Sequence, residues 1–204
     1  RYTNAKVREN YSRRFRIRFP NEELDAARPL RTTPIHERLQ AENAVFGEYC
    51  GLEHALWFAP RGSEPREDVT FRRSNAHPHV AAECRAVRDS VGMIEISNYG
   101  KFEVTGAGAI DWLNRVMANK VPAVGRLSLS PMLNERGRLI GDFTLCRPEK
   151  DRVFLIGTYA AENFYRRWFE ATLPGTAVTV RPCAMEYVGL SVAGPNSRAL
   201  LQGL

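Results

Sequence analysis

Few side chains in this sequence have the type and spacing to do chemistry, and each of them also has a plain structural reading. Asp142 stands inside the apolar run Leu139-Ile-Gly-Asp-Phe-Thr-Leu145. A carboxylate within a strand is disfavoured by propensity, and a buried one requires a donor partner. Asp142 is therefore either a structural hydrogen-bond acceptor or a site carboxylate with a shifted pKa, and the residues alone weigh the two equally. His77-Pro-His79 offers two imidazoles. No carboxylate or cysteine completes a set at ligand spacing, so no metal site is assigned. Gly106-Ala-Gly108 sits where a dinucleotide fingerprint would open a helix. Its third glycine position is Asp111 and no parallel βαβ unit follows, so the reading is a tight turn. Arginines interleave with aromatics over residues 11–19, a superficial fit to nucleic acid. Strict alternation instead puts the two kinds of side chain on opposite faces of a half-buried strand, and no nucleic-acid partner is expected. The G-x-S-x-G nucleophile elbow does not occur, and no triad is assigned.

Hydrophobic periodicity supplies the elements that must position these groups. Val7, Tyr11 and Phe15 predict a helix over 2–15, and Phe15-Arg-Ile-Arg-Phe19 predicts a strand ended by Pro20. Residues 21–34 read as a connector, with a boundary near Arg31. A short helix follows, with Thr33 as cap and Pro34 in its first turn. It presents Ile35, Leu39 and Val45 and is broken by Gly47 and Gly51. Next come an apolar run at 55–60, a charged loop at 61–73 and a helix over 79–92. Strands are expected at 101–106, 127–133, 139–146 and 153–158, with Asn134-Glu-Arg-Gly137 as a hairpin turn. Helices are expected at 107–119 and 160–173, further segments at 177–181 and 187–193, and a helix from Pro195. Helices packed on a mostly antiparallel sheet give the α+β class.

Composition sets the outer limits. The chain has 204 residues, 44% hydrophobic and 25% charged, an ordinary globular balance. No window approaches the ~20 apolar residues of a membrane helix, so no spanning segment is expected. The cysteines 50, 84, 146 and 183 are scattered without a C-x-x-C pair, which favours a reducing compartment. The net charge is +6, and residues 1–40 carry ten of the cations against five carboxylates. Such a field suits an anionic ligand, a solvated basic face or a surface covered by another part of a larger protein. The first residue is Arg rather than Met and the sequence stops at Gly203-Leu204. Both ends read as cut, giving the expectation of an internal piece.

Three motifs resemble a known family. They are Gly92-Met-Ile-Glu-Ile-Ser-Asn-Tyr-Gly-Lys101, Pro131-Met-Leu-Asn-Glu-Arg-Gly-Arg-Leu-Ile-Gly-Asp142 and Leu190-Ser-Val-Ala-Gly-Pro195. In order and spacing they are similar to the aminomethyltransferase (glycine-cleavage T-protein) fold. The stretches Tyr11-Ser-Arg-Arg-Phe15 to Arg31-Thr-Thr-Pro34, and Ala44-Val-Phe-Gly47 to Leu56-Trp-Phe-Ala-Pro60, resemble the junction in dimethylglycine and sarcosine dehydrogenases. There a flavin-binding domain passes into a folate-binding domain.

The resemblance implies residues 1–30 as the tail of a flavin oxidoreductase domain and 31–204 as the first part of the folate domain. It implies FAD in the upstream domain, tetrahydrofolate in this one, and an N-methylated glycine as the parent's substrate. The implied catalytic carboxylate is Asp142, assisting folate nitrogen chemistry from a partly desolvated position. Tyr99, Leu129, Ile156 and Thr158 are the implied folate contacts. Tyr99 replaces a Met usual in T-proteins, and Thr158 an Asn. The first of two consecutive acids usual there is Gly141 here. The implied location is the cytoplasm, or the mitochondrial matrix in a eukaryote. The rival readings are a stand-alone folate-dependent transferase or demethylase, and a non-catalytic regulatory subunit of the same architecture. The carboxylate at Asp142 favours an enzyme.

Overall fold

The computed structural model describes residues 1–175 and 177–204. The chain divides into two compact units, one made of Arg1–Ser97 with Val188–Leu204 and the other of Asn98–Tyr187.

The 98–187 unit is a five-stranded antiparallel sheet with helices on one face. Its strands are β4 (Gly100–Thr105), β5 (Arg126–Leu133), β6 (Leu139–Glu149), β7 (Arg152–Gly157) and β8 (Thr179–Pro182), in the order β5-β6-β7-β4-β8. Helices α4 (Ala109–Val116) and α5 (Glu162–Thr172) bury Trp112, Leu113, Tyr165 and Phe169 against Phe102, Val104, Met132, Phe143, Leu145, Val153 and Leu155. Phe169 is the hub, with Phe102 edge-on at 5.1 Å and Trp112 at 5.8 Å. Such edge contacts add to the area each ring buries. Gly106 carries φ +119, and a Cβ there would lie 2.1 Å from the Ala177 carbonyl oxygen. Only glycine fits that approach, which accounts for the Gly106-Ala-Gly108 motif as packing of the β4–α4 turn.

The other unit holds α1 (Tyr2–Arg13), α2 (His36–Ala41), β1 (Ala44–Tyr49), β2 (Leu52–Phe58), α3 (Ala76–Asp89), β3 (Gly92–Glu95), β9 (Leu190–Ala193) and α6 (Ser197–Gln202). β1 and β2 form a hairpin through Cys50 (φ 52) and Gly51 (φ 81), the two left-handed residues of a tight two-residue turn. β3 pairs with β9 almost a hundred residues on.

Two sequence expectations fail in this unit. The predicted helix through Val45 stops at Ala41, and Val45 lies in β1. Thr33 does not cap it through its side chain; its carbonyl accepts from the His36 N–H. The predicted strand at 15–19 is irregular, with Phe15 and Ile17 84% and 80% exposed. Alternation needs a neighbouring strand to become a ladder, and none pairs with this segment among the described residues.

Polar groups rather than a large apolar core tie residues 1–31 to the hairpin. The Lys6 ammonium meets Glu48 at 2.6 Å, and the Tyr2 hydroxyl donates to the same carboxylate at 2.6 Å. Arg28 grips Glu53 through Nε and Nη2 and also donates to the Phe46 carbonyl. Glu53 is buried, and the pair is bidentate. The Arg31 backbone closes the strap, accepting from Glu53 N–H and donating to the Gly51 carbonyl.

Two outcomes follow from this strap. Arg28→Met leaves Glu53 buried without its cation and is expected to destabilise the protein by about 3–5 kcal/mol, read by urea unfolding. Stability is also expected to fall at both pH extremes. Burial alone would raise Glu48, but Lys6, Tyr2 and the Gly51 N–H hold it below its ordinary 4.5. Its contribution is present above 4.5 and is lost as pH falls through the depressed value. The hydrogen bond to Glu48, then burial, pushes Tyr2 from 10.0 up to about 12. That contribution is full below 10 and is lost as pH rises through about 12. Melting temperature across pH should lose the acid-side component in Glu48→Gln and the alkaline-side component in Tyr2→Phe.

Candidate functional site

Strand alternation assigns the two faces of the five-stranded sheet. In β6, Gly141, Phe143 and Leu145 point into the core, so Asp142, Thr144 and Cys146 point to the face away from α4 and α5. Register then aligns neighbours on that second face. Leu129 pairs with Thr144, Thr144 with Ile156, and Ile156 with Lys101. Asp142 pairs with Pro131. Thr158 follows Gly157 at the end of β7 and Tyr99 precedes Gly100 at the start of β4, on either side of the Gly100–Gly157 pair.

Leu129, Asp142 and Ile156 thus lie on one face of neighbouring strands about 4.8 Å apart, with Tyr99 directly before β4 and Thr158 directly after β7. Leu129 is 74% and Tyr99 44% exposed, Ile156 is half-buried, and Thr158 and Asp142 are exposed. The result is an apolar shelf with a phenol, a hydroxyl and a carboxylate at one end. It suits one side of a flat heteroaromatic ring whose N–H groups donate to Asp142. The expectation of a partly desolvated Asp142 is not met. Its neighbours 141, 143 and 145 take the core face, so alternation leaves Asp142 on the open one.

The glycine beside it has a steric cause. A Cβ on Gly141 would lie 2.5 Å from the Tyr165 ring, which packs edge-on to Phe143 at 4.7 Å. An acid at 141 would have to displace that ring. Burial, and secondly the charge of Asp142, raises the Tyr165 phenol above its usual value.

Two groups at this face were not singled out as site residues from the sequence. Lys101 is only 7% exposed, and its ammonium donates to the Tyr99 carbonyl at 3.1 Å and to the Ala184 carbonyl at 2.9 Å. It therefore fixes the backbone that carries Tyr99. A lone lysine in an apolar strand is the same signal that marked Asp142. Glu103, in the row of Phe154, accepts from Arg181 and Arg152. Those hydrogen bonds, Arg181 first, hold it below the ordinary carboxylate range. The remaining sequence candidates lie elsewhere: His79 stacks on Trp57 with centroids 5.6 Å apart, and no group of three potential metal ligands occurs among the described residues.

Residues 35–204 match the GCVT N-terminal domain, and residues 1–33 match the FAD dependent oxidoreductase central domain. Mitochondrial dimethylglycine dehydrogenase of Mus musculus is 33% identical over 206 residues, covering all of this chain and 24% of that protein. The 4-methylaminobutanoate oxidase (formaldehyde-forming) of Paenarthrobacter nicotinovorans is 29% identical over 98% of this chain and 24% of its own. Human mitochondrial sarcosine dehydrogenase is 27% identical over 99% of this chain and 26% of its own. The chain thus spans about a quarter of the length of these relatives. The aminomethyltransferase T of the Bartonella henselae glycine cleavage system superposes with a TM-score of 0.69 at 23% identity, over 85% of this chain and 43% of that one. The α+β sheet-and-helix fold is therefore that of the glycine-cleavage T-protein. With five-sixths of its length matched, the chain belongs to the GCVT N-terminal domain family.

Proposed function

We propose that this chain is the junction and first folate-binding portion of an FAD- and tetrahydrofolate-linked dehydrogenase that demethylates N-methylated glycines, of the dimethylglycine or sarcosine type. The observation that supports the reading is the sheet face on which Leu129, Asp142 and Ile156 lie on neighbouring strands, with Tyr99 directly before β4 and Thr158 directly after β7. Support comes from the succession of an oxidoreductase match and a GCVT match along one chain. In this reading residues 1–30 end the flavin domain and 31–204 begin the folate domain. The exposed Val7, Tyr11 and Phe15, flanked by arginines, are the docking surface for the flavin domain. Residues 1–30 contain no glycine and so offer no phosphate-binding turn. FAD is therefore assigned to the remainder of the flavin domain. The compartment proposed is the cytoplasm or the mitochondrial matrix; no described helix is long and apolar enough to cross a membrane.

Tetrahydrofolate, when bound, would supply the nitrogens that take up the one-carbon unit as methylenetetrahydrofolate. The residues of this chain do the rest. Leu129 and Ile156 exclude water from one side of the pterin, and Tyr99 bounds its edge. Lys101 holds the Tyr99 backbone in place. Asp142 accepts hydrogen bonds from the ring and relays a proton as charge develops on its nitrogen.

In the full-length parent, Asp142→Asn is expected to lower methylenetetrahydrofolate yield by at least about tenfold while flavin reduction by substrate proceeds unchanged. Equal loss in both half-reactions, followed by stopped-flow absorbance and product analysis, would overturn the assignment. Lys101→Met, which frees the Tyr99 carbonyl, is expected to weaken tetrahydrofolate binding by at least about threefold, with flavin reduction again intact.

A further inference from the structure

The 98–187 unit contains an open cleft of about 690 Å³ that takes no part in the site described above. Its walls come from the last turns of α4 and α5 and from the β5–β6 hairpin turn, and its size lies in the range of small-molecule sites. We propose that this cleft binds a small organic polyanion carrying two or more carboxylate or phosphate groups.

The charge of the lining carries the chemistry. Arg115 enters from α4, and Arg136 and Arg138 enter from the hairpin turn, against the single carboxylate of Glu135. None of the three guanidinium groups has an ion-pair or hydrogen-bond partner among the described residues. Arg152 and Arg181 of this unit are engaged on Glu103 and Arg147 on the Pro122 and Lys150 carbonyls, so the cleft arginines are set apart by converging on one cavity. Cations arriving from two separate elements match an anion with more than one charged group. Planar guanidinium forks recognise carboxylate and phosphate oxygens in pairs.

The backbone presents these cations in a fixed arrangement. Asn134 Oδ1 accepts from the Arg136 and Arg138 N–H groups, both at 3.0 Å. The Asn134 N–H donates to the Arg138 carbonyl at 2.9 Å, and the Gly137 N–H donates to the Asn134 carbonyl. Four hydrogen bonds within five residues hold the turn, which lowers the entropy lost when a ligand orders it. Half-buried Trp168 lines the opposite wall, backed by Trp112, which is only 1% exposed and whose indole N–H is anchored on the Thr172 carbonyl at 2.9 Å. Aromatic walls provide contact for the carbon skeleton of an organic anion, where inorganic counter-ions have none.

The test is titration of the protein with citrate and, separately, with pyrophosphate, followed by tryptophan fluorescence. Trp112 and Trp168 are two of the three tryptophans in the sequence, so the cleft reports on itself. A saturable change is expected with at least one anion, at a Kd below about 1 mM. Whichever of the two binds more tightly distinguishes a carboxylate ligand from a phosphate one. In Arg136→Ala/Arg138→Ala the affinity is expected to fall by at least about tenfold with an unchanged far-UV circular dichroism spectrum. If that double variant loses its fold, Arg115→Ala is held to the same criterion. The proposal is overturned if neither anion gives a saturable change. It is equally overturned if sodium chloride at matched ionic strength reproduces the change, or if the arginine variants bind as tightly as the parent sequence.

Discussion

The register of the five-stranded sheet is the constraint on which the site depends. A side-chain period of two means that a slip of one residue would carry Asp142 into the core and Phe143 out of it. Several contacts lock that register. Tyr165 fills the space over Gly141, and the Phe143 ring fills the space over Gly157, where a Cβ would lie 2.7 Å from it. On the other face Glu103 joins Arg152 and Arg181, tying β7, β4 and β8 together across their ladders. The aromatic core thus does more than stabilise. It decides which residues are left to face a ligand.

Much of this unit was legible in the sequence because its elements are long and strongly patterned. The expected strand at 139–146 and helix at 160–173 correspond to β6 and α5. The β5–β6 turn was visible as Asn134-Glu-Arg-Gly137. The first unit was less legible. β1 is six residues long, carries Gly47 in its middle and turns through Cys50-Gly51 rather than an Asn-Gly pair. Its signal was absorbed into the neighbouring helix. The alternation at 15–19 was real as a pattern but had no partner strand, so tertiary context overrode it. That these five residues, from four chain segments, belong to one site is what the family resemblance implies, because register between strands leaves no local trace in the sequence. The exposure of Asp142 is not legible for a related reason: apolar flanks mark one sheet face as buried and say little about the other.

The two units are stabilised differently. The 98–187 unit rests on a continuous apolar cluster centred on Phe169. The other has a small core around Val45, Trp57, Ala59 and Ala76, supplemented by charged pairs that secure residues 1–31. Salt and pH therefore act mainly on the unit that holds residues 1–97, and heat-capacity-linked denaturation mainly on the 98–187 unit.

The pairing of β3 with β9 gives the chain an order of assembly. Residues 98–187 are spliced between two strands of the other unit, so a ribosome delivers β3 long before its mate. The inserted sheet, whose ladders all close within its own ninety-residue stretch, can complete itself while β3 waits. The surrounding unit stays open until Leu190–Ala193 has been synthesised. A chain that ends just before residue 190, once released from the ribosome, would thus already present the candidate ligand face, with its host unit unfinished.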